Sequence, residues 1–381
     1  MGSSLLSRCG YYGAMLGCMA LVVVACATFG LHSGYFDVSE YAKLVRFDFS
    51  DVTQPYASRV LGPFIAHYFV TVFGLSPLTA IAAVSLASLV MLTLVWTHYS
   101  LRSDVSLPIA ALAFVVPYLA SVVKFIYVPD ALALLTCFLT LYACKCGYLS
   151  GGIIAGSLSL LARKSLVVPY VLLATLRLVR KRPRQTLLLG GAIVLGLLSL
   201  HFAVPPNMGN VHHMSVMSYY LLKLPANFIT NLLGINLYTN TYQWCHDPVR
   251  IFDVSGFPGL GHINKIGYCA LDVGRITTTY AVYILIFGAW PILAFDFLRH
   301  RWRDGDADYI LLFIVFFTIA PCLGRSVSRL FLYAECFYLI SIPALVTYGQ
   351  TKKYWGWFIG ATGTLQVIGL GALILGYLQP G

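Results

Sequence analysis

The sequence predicts an all-α polytopic membrane protein with about eleven transmembrane helices, and two observations lead to this prediction. Of its 381 residues, 59% are hydrophobic and only 10% are charged, whereas soluble domains carry about 25% charged residues. The apolar residues also form continuous runs of about twenty residues, which is the length of a helix that crosses a bilayer. A β-barrel would instead alternate apolar and polar residues in short segments.

The apolar runs that are predicted to span the membrane cover residues 11–31, 77–100, 106–122, 129–147, 149–161, 164–179, 185–204, 278–298, 309–325, 327–348 and 356–378. We interpret the first as a retained signal anchor, because it is too long for a signal peptide and has no clean cleavage site. A further run, 60–74, is short and contains Gly62, Pro63 and His67. We expect it to lie at the membrane interface as a juxtamembrane helix.

Basic residues are concentrated in the short hinges 177–184, 299–303 and 351–353. Such clusters mark cytoplasmic loops. With them inside, residues 32–76 form a first outer loop with interfacial helices, and residues 205–277 form a large outer loop. Residues 1–381 are then one transmembrane domain with no soluble domain. The formal net charge is +11, yet we expect no nucleic-acid partner, because no soluble basic domain is present to bind one.

This predicted membrane topology places charged and histidine residues from distant parts of the chain on the outer face. They are Asp37, Glu40, Asp48, Asp51, Arg59, His67, Lys124, Asp130, Arg163, Lys164, His212, His213, Arg325 and Arg329. Carboxylates and basic groups at the mouth of an apolar bundle suit a substrate with an anionic head and an apolar tail. Arginine binds phosphate through paired donors, and a carboxylate can take a proton from a hydroxyl group as a general base.

Four stretches resemble the GT-C membrane glycosyltransferases. "FDVSEYAKL" (36–44) resembles their first outer loop, in which an acidic residue is the catalytic base. "QPYASRVLGPFIAHYFVTVFGLSPLTA" (54–80) resembles their juxtamembrane stretch, and "VPDALALL" (128–135) their second acidic loop. "GSLSLLARKSLVVPYVLL" (156–173) resembles their helix pair with a basic outer hinge. The resemblance lies mainly within residues 11–180.

The resemblance implies a GT-C-like fold and the inverting transfer of a sugar from a polyprenyl-phosphate donor to a hydroxyl group. The acceptor is then a glycan, a glycolipid or a protein. Asp37 is the implied general base, with Glu40 as its helper. A lipid-phosphate leaving group needs positive charge rather than a proton donor. The residues predicted to bind the donor phosphate are Arg59, Arg163, Lys164, Arg325 and Arg329, and those predicted to contact the substrate are Lys124, Asp130, His212 and His213.

Other interpretations of these residues stay open. Asp37 and Glu40 also fit a capping box, and Asp130 fits the start of a helix, where a negative charge is favourable. Arg163 and Lys164 also fit side chains that reach the membrane interface.

No cofactor is predicted, and no metal is indicated, since adjacent histidines without a defined third ligand do not form a zinc site. Cys245 and Cys269 fall in the same outer loop, and we predict a disulfide between them.

Two other functions compete with glycosyl transfer. One is a transporter or flippase of lipid-linked sugars, and the other is a polymerase or ligase that uses a pyrophosphate-linked glycan. Transporters commonly contain repeated halves and broken helices, and the sequence has no internal repeat. The absence of an Asn-x-Ser/Thr site favours a bacterial inner membrane, with the active site on the periplasmic face. The alternative is the endoplasmic reticulum membrane with a lumenal active site.

Overall fold

The computed structural model describes residues 2–28, 36–49, 52, 56–115, 126–204, 216–240, 247–256, 263–323 and 332–375. Within these ranges the chain is mostly helical, with one small β-sheet. The predominantly helical fold predicted from the sequence is therefore confirmed. The α-helices are α1 Gly2–Thr28, α2 Phe36–Val45, α3 Leu61–Phe73, α4 Pro77–Arg102, α5 Leu107–Phe114, α6 Asp130–Cys146, α7 Leu149–Ala162, α8 Val167–Val179, α9 Pro183–Ala203, α10 Val216–Leu233, α11 Val273–Phe287, α12 Trp290–Arg301, α13 Ala307–Leu323, α14 Leu332–Gln350 and α15 Trp355–Ile374. Single 3₁₀ turns cover Tyr56–Ser58 and Lys164–Leu166.

Several helix ends follow local sequence signals. Ser76 caps α4, because its side-chain oxygen accepts a hydrogen bond from the Thr79 amide at 3.2 Å. Asp272 caps α11 in the same way, accepting from the Arg275 amide at 2.9 Å. These side chains satisfy amide groups that have no partner inside the helix. Gly74 ends α3 in the left-handed conformation, with φ of 66°, which glycine adopts without strain.

Several helices of the described part are able to cross a membrane. Four meet the requirement of length and apolar composition: residues Arg8–Thr28 of α1, and α4, α9 and α14. The helices α3 and α7 and residues Ala307–Cys322 of α13 are apolar but shorter. The 13 residues of α3 extend about 20 Å, which is less than the hydrocarbon core of about 30 Å. The larger number of eleven spans stays a prediction.

The run 278–298, which the sequence predicts as one span, is divided in the structure. The helices α11 and α12 meet at a bend of 66°. Gly288 lies at the break with φ of 55°, and Pro291 lies in the first turn of α12. A residue with positive φ ends a helix, and a proline is accommodated at the start of the next one.

The central helix of the bundle is α14. All of its residues from Leu332 to Pro343 are buried. The Tyr99 hydroxyl of α4 donates to the Ile340 carbonyl at 2.9 Å, and the rings of Phe287 and Tyr338 pack edge to face at 5.3 Å. A helix that is buried on every side needs apolar residues all round, and most of this stretch is apolar, with Glu335 as its one acidic residue.

The helices α7 and α9 approach closely through glycines. A Cβ atom at Gly152 would lie 2.4 Å from Cδ1 of Leu188, and one at Gly156 would lie 2.5 Å from the Cβ of Ala192. Small residues allow helices to pack closely inside membranes. This contact holds α7 against α9, and Arg163 directly follows the end of α7.

The helix α6 defines two ends of the bundle. Asp130 is its first residue and Lys145 lies in its last turn, about 22 Å further along the helix axis. Near the first end, the Ser85 hydroxyl of α4 donates to the Val128 carbonyl at 3.2 Å. Near the second, the ammonium of Lys145 lies 5.7 Å from the centre of the Tyr99 ring. We call these the Asp130 end and the Lys145 end.

The Lys145 end is held by ion pairs between loops that are distant in sequence. Arg177 and Asp308 are fully buried, with Nη1 and Oδ2 3.1 Å apart, and Arg180 is paired with the same carboxylate. Nη1 of Arg177 also donates to the Gly305 carbonyl at 3.1 Å, and Nη2 of Arg180 to the Trp302 carbonyl at 2.7 Å. The start of α13 is thereby fixed to the end of α8.

A second group of polar contacts at this end surrounds Asp296. Its Oδ2 lies 2.9 Å from Nζ of Lys352 and accepts a hydrogen bond from the Tyr348 hydroxyl at 2.9 Å. Oδ1 lies 3.1 Å from Nδ1 of His300. Hydrogen bonding to Tyr348 and to Asp296 raises the pKa of Lys352 above its ordinary value. These contacts join α12 to the loop after α14.

A three-stranded antiparallel sheet lies within the predicted outer loop 205–277. Its strands are β1 Ile235–Thr239, β2 Pro248–Asp253 and β3 Lys265–Leu271, in the order β1-β3-β2. The helix before it, α10, is fixed to the last turn of α13, where Nδ2 of Asn231 donates to the Pro321 carbonyl at 2.7 Å. Because α13 begins at the Lys145 end, with Lys145 and Asp306 2.6 Å apart, its last turn and the base of the sheet belong to the Asp130 end.

Candidate functional site

The helix α2 positions the predicted general base. Asp37 lies in its first turn, and the Asp37 side chain is outside the described part of the chain. One face of α2 enters the core through Val38, Tyr41 and Leu44, at the spacing that places residues on one side of a helix. Glu40 is buried as well, and its Oε1 lies 3.4 Å from Nζ of Lys43. The helix is therefore attached to the bundle along its length.

Arg59 connects α2 to the turn that precedes α3. Its Nη1 donates to the Tyr41 hydroxyl at 2.7 Å inside the protein. The guanidinium carbon of Arg59 lies 5.4 Å from the centre of the Tyr56 ring, and the rings of Tyr41 and Tyr56 pack edge to face at 5.8 Å. A charged donor inside a protein makes a strong hydrogen bond. The position of α2 thus depends on Arg59.

His67 holds the other end of α2. Its Nδ1 lies 2.8 Å from the Val45 carbonyl oxygen, and its ring lies 4.3 Å from the ring of Phe47. The His67 side chain therefore packs α3 against the residues that follow α2.

The centre of the site is a buried ion pair between Arg163 and Asp130. Nη1 of Arg163 lies 2.7 Å from Oδ1 of Asp130, and both side chains are almost completely buried. Nε of Arg163 donates to the Tyr333 hydroxyl at 3.2 Å, and the Tyr333 hydroxyl is hydrogen-bonded to that of Ser165. Nη2 of Arg163 has no hydrogen-bond partner in the structure as described.

Three helix ends bring these groups together. Asp130 begins α6, Arg163 follows α7, and Tyr333 lies in the first turn of α14. The backbone of Arg163 is extended, with φ of −156°, and it separates α7 from the 3₁₀ turn that precedes α8. Two charged side chains that are far apart in sequence can therefore meet inside the bundle.

A second carboxyl group, that of Glu335, lies beside this pair. The residue is 1% exposed, and its Oε1 has no hydrogen-bond partner among the described residues. It interacts electrostatically with Asp130, and Arg59 and Arg163 both interact electrostatically with the Tyr333 hydroxyl. The two arginines, the two carboxyl groups and the Tyr333 hydroxyl therefore belong to one site, which we call the Asp130 cluster.

The sequence predicted some members of this cluster and missed others. Asp130, Arg163 and Arg59 were predicted site residues, and the structure places them together. Tyr333 and Ser165 were not, since hydroxyl groups are too common in this sequence to stand out.

Lys164 is exposed, in the 3₁₀ turn directly after Arg163. The predicted site residues outside the described ranges are Lys124, His212, His213, Arg325 and Arg329.

Cysteine and possible metal ligands complete the inventory of reactive groups. Cys269 on β3 is disulfide-bonded, and its predicted partner, Cys245, lies outside the described residues. The other eight cysteines form no disulfide bond. Within the described ranges, no group of three or more His, Cys, Asp or Glu side chains is arranged to hold a metal ion.

The Asp130 cluster has the groups needed to bind a phosphate. Guanidinium groups bind phosphate oxygens through charge-assisted hydrogen bonds, which are strengthened inside a protein. Asp130 neutralises part of the positive charge and fixes the orientation of Arg163, and α2 brings the backbone of Asp37 to the same end of the bundle.

No protein-family model, no curated protein sequence and no solved structure matches this chain.

Proposed function

We propose that this chain is a multi-pass membrane glycosyltransferase of the GT-C type. It transfers a sugar, with inversion, from a polyprenyl-phosphate donor to a hydroxyl group of a glycan, glycolipid or protein. In this proposal the chain has about eleven spans, α3 lies at the interface, and Asp37 is the general base. Arg163 and Lys164 bind the donor phosphate, together with Arg325 and Arg329.

The observation that carries this proposal is the arrangement around Arg163. Its guanidinium is held by Asp130 and Tyr333 through Nη1 and Nε, so its direction is fixed before a ligand arrives. A preorganised cation stabilises the charge that develops on a leaving phosphate. The exposed Lys164 beside it adds a second positive charge.

The arrangement of Arg59 supports a role for α2 in the same reaction. Arg59 is bonded to Tyr41 on α2 and interacts with the Tyr333 hydroxyl of the Asp130 cluster. The helix that carries Asp37 is therefore connected to the residues proposed to bind phosphate. Inverting transfer needs a base for the acceptor hydroxyl and, on the opposite side of the sugar, a site that accepts the leaving group.

Two independent features support an outer location for the Asp130 end. Cys269 lies in the sheet at this end and is disulfide-bonded, and disulfides persist in oxidising compartments. The Lys145 end instead carries many exposed basic residues, which mark the cytoplasmic side. They are Lys181, Arg182, Arg184, Arg299, Arg301, Arg303 and Lys353.

The test is transfer by the purified full chain in lipid nanodiscs with polyprenyl-phosphate-linked sugars, with a pyrophosphate-linked arm alongside. We expect donor turnover and an inverted anomeric carbon in the product, measured by nuclear magnetic resonance. Asp37→Asn should lose turnover, and Asp48→Asn, the same change at an exposed position shortly after α2, is the matched control. Full turnover in Asp37→Asn would eliminate Asp37 as the base.

One observation favours a second candidate function, the transport of lipid-linked sugars. The 66° bend between α11 and α12 is the kind of break that transporters contain near their binding sites. If lipid-linked sugar crosses the membrane of proteoliposomes without any turnover, the chain is a transporter and not the proposed enzyme.

A further inference from the structure

A cavity between α1 and α4 lies far from the Asp130 cluster. Its volume is about 380 Å³, and it is lined by Arg8, Tyr12, His98, Leu101 and Arg102. The Tyr12 hydroxyl and Nδ1 of His98 lie 3.3 Å apart within it. A volume of a few hundred Å³ is typical of sites for small ligands.

The cavity belongs to the Lys145 end of the bundle. Arg102 is the last residue of α4 and interacts with Tyr142, near the end of α6, and with Tyr148, which follows α6. The Tyr11 hydroxyl of α1 donates to the carbonyl of Val105, just beyond α4, at 3.0 Å. The first turns of α1 are thereby held against the end of α4.

The lining of the cavity is suited to an anion. It offers two guanidinium groups, a phenol and an imidazole, and none of its five residues carries a carboxylate. The nearest acidic residue along the chain, Asp104, is exposed and is not part of the lining. Paired arginines match the geometry and charge of phosphate oxygens.

The position of the cavity suits a lipid headgroup in particular. Both helices that form it are able to cross a membrane, and the cavity lies where both of them end. At this depth lie the phosphate groups of membrane lipids, which attract basic side chains. Leu101 supplies an apolar wall for the beginning of an acyl chain or a glycerol backbone.

We propose that this cavity binds a phosphate group, either of an anionic lipid headgroup or of a soluble phosphate compound. The site is separate from the proposed transfer reaction, because the length of α6 lies between the cavity and the Asp130 cluster. It holds a phosphate through Arg8 and Arg102, with the Tyr12 hydroxyl as a further donor.

The test uses the full chain in detergent, with phosphatidylglycerol and phosphatidylcholine as probes in native mass spectrometry. We expect preferential binding of phosphatidylglycerol, with affinity falling about fivefold for each arginine removed in Arg8→Gln and Arg102→Gln. The matched control is Arg301→Gln with Arg303→Gln, which removes the same charge from the same end outside the cavity. An equal loss of affinity for phosphatidylglycerol in the cavity variants and in the control variants would overturn the proposal. So would unchanged affinity in the cavity variants.

Two further arms complete the test. If inorganic phosphate in excess displaces phosphatidylglycerol, and binds by itself in titration calorimetry, the site accepts soluble phosphate. If it does neither, while the lipid still binds, the ligand is the lipid headgroup. Binding of neither probe refutes the site. Should the Gln variants fold poorly, Tyr12→Phe with His98→Gln keeps both charges and must still weaken binding, whereas Arg8→Lys with Arg102→Lys must retain most of it.

Discussion

The two ends of the bundle each contain a buried arginine–aspartate pair, but the neighbours of the pairs differ. At the Lys145 end, Asp308 is shared by Arg177 and Arg180, and both arginines also donate to backbone carbonyls. At the Asp130 end, Arg163 has one carboxylate partner and bonds to the hydroxyl of Tyr333. Backbone carbonyls fix a structure, whereas hydroxyl and carboxyl groups can also exchange protons or contact a substrate. Burial of an ion pair therefore does not by itself distinguish structure from function.

The largest effect on stability is expected from Arg177→Met. Removing Arg177 leaves the buried Asp308 carboxylate with Arg180 as its remaining partner, and breaking a buried ion pair costs about 3–5 kcal/mol in the free energy of unfolding. We expect a lower melting temperature in scanning fluorimetry and unchanged donor turnover per folded molecule. A loss of turnover larger than the loss of folded protein would show that the Lys145 end takes part in the reaction.

The complementary change is Arg163→Gln at the Asp130 end. Loss of one preorganised donor to developing charge lowers kcat by roughly 10²–10³, so turnover per folded molecule should fall by this factor. Arg163→Lys retains the charge but not the paired donors. Its turnover should lie between that of the unsubstituted protein and that of Arg163→Gln. If Arg163→Gln loses stability yet keeps its turnover, the two ends are alike and the comparison fails.

A smaller effect is expected from Tyr41→Phe. The change removes the acceptor of the 2.7 Å bond from Arg59, and a hydrogen bond to a charged group contributes about 1.5–3 kcal/mol. Turnover should fall through looser positioning of α2, with KM for the donor unchanged. Tyr56→Phe at the neighbouring ring, which keeps the aromatic contact, is the control. An increase in KM with unchanged kcat would instead indicate that Tyr41 contacts the donor.

The smallest effect is expected from Lys352→Gln at the Lys145 end. Both side chains of the pair with Asp296 are about one-quarter exposed, so solvent screens their attraction. The pKa of Lys352 is raised in the folded protein. Its contribution is therefore complete below the ordinary pKa of 10.5 and is lost only as the pH rises through the raised value.

The measurement for this pair is the melting temperature of both proteins at several pH values. The difference should stay small and constant from neutral pH up to about pH 9, still below the ordinary Lys pKa. A difference that vanished within that range would contradict the raised pKa.

Much of the helical framework could be predicted from the sequence, because long apolar runs are a local property. The break at Gly288 was missed, since apolar residues continue through it and glycine and proline are tolerated inside membrane helices, whereas the structure shows a bend of 66° there. Strands β1 to β3 were also missed, because each is a short segment that pairs with residues distant in the chain.

The members of the candidate site were easier to predict than their contacts. The predicted side of the membrane and the GT-C resemblance both grouped Asp130 with Arg163, and both residues depart from an otherwise apolar background. That they form a pair, and that Tyr333 joins them, depends on how α6, α7 and α14 pack. Of the 25 tyrosines in the chain, no local pattern distinguishes Tyr333.

The shared carboxylate of Asp308 also has a consequence for how the protein is made. Arg177 and Arg180 lie in and directly after α8, whereas Asp308 lies in α13, so α9 to α12 and the sheet are synthesised in between. Until α13 emerges from the ribosome, these arginines lack the carboxylate that neutralises them in the finished protein. We therefore expect the early helices to remain loosely assembled during insertion, and a nascent chain that stops before α13 to be a preferred target for membrane quality-control proteases.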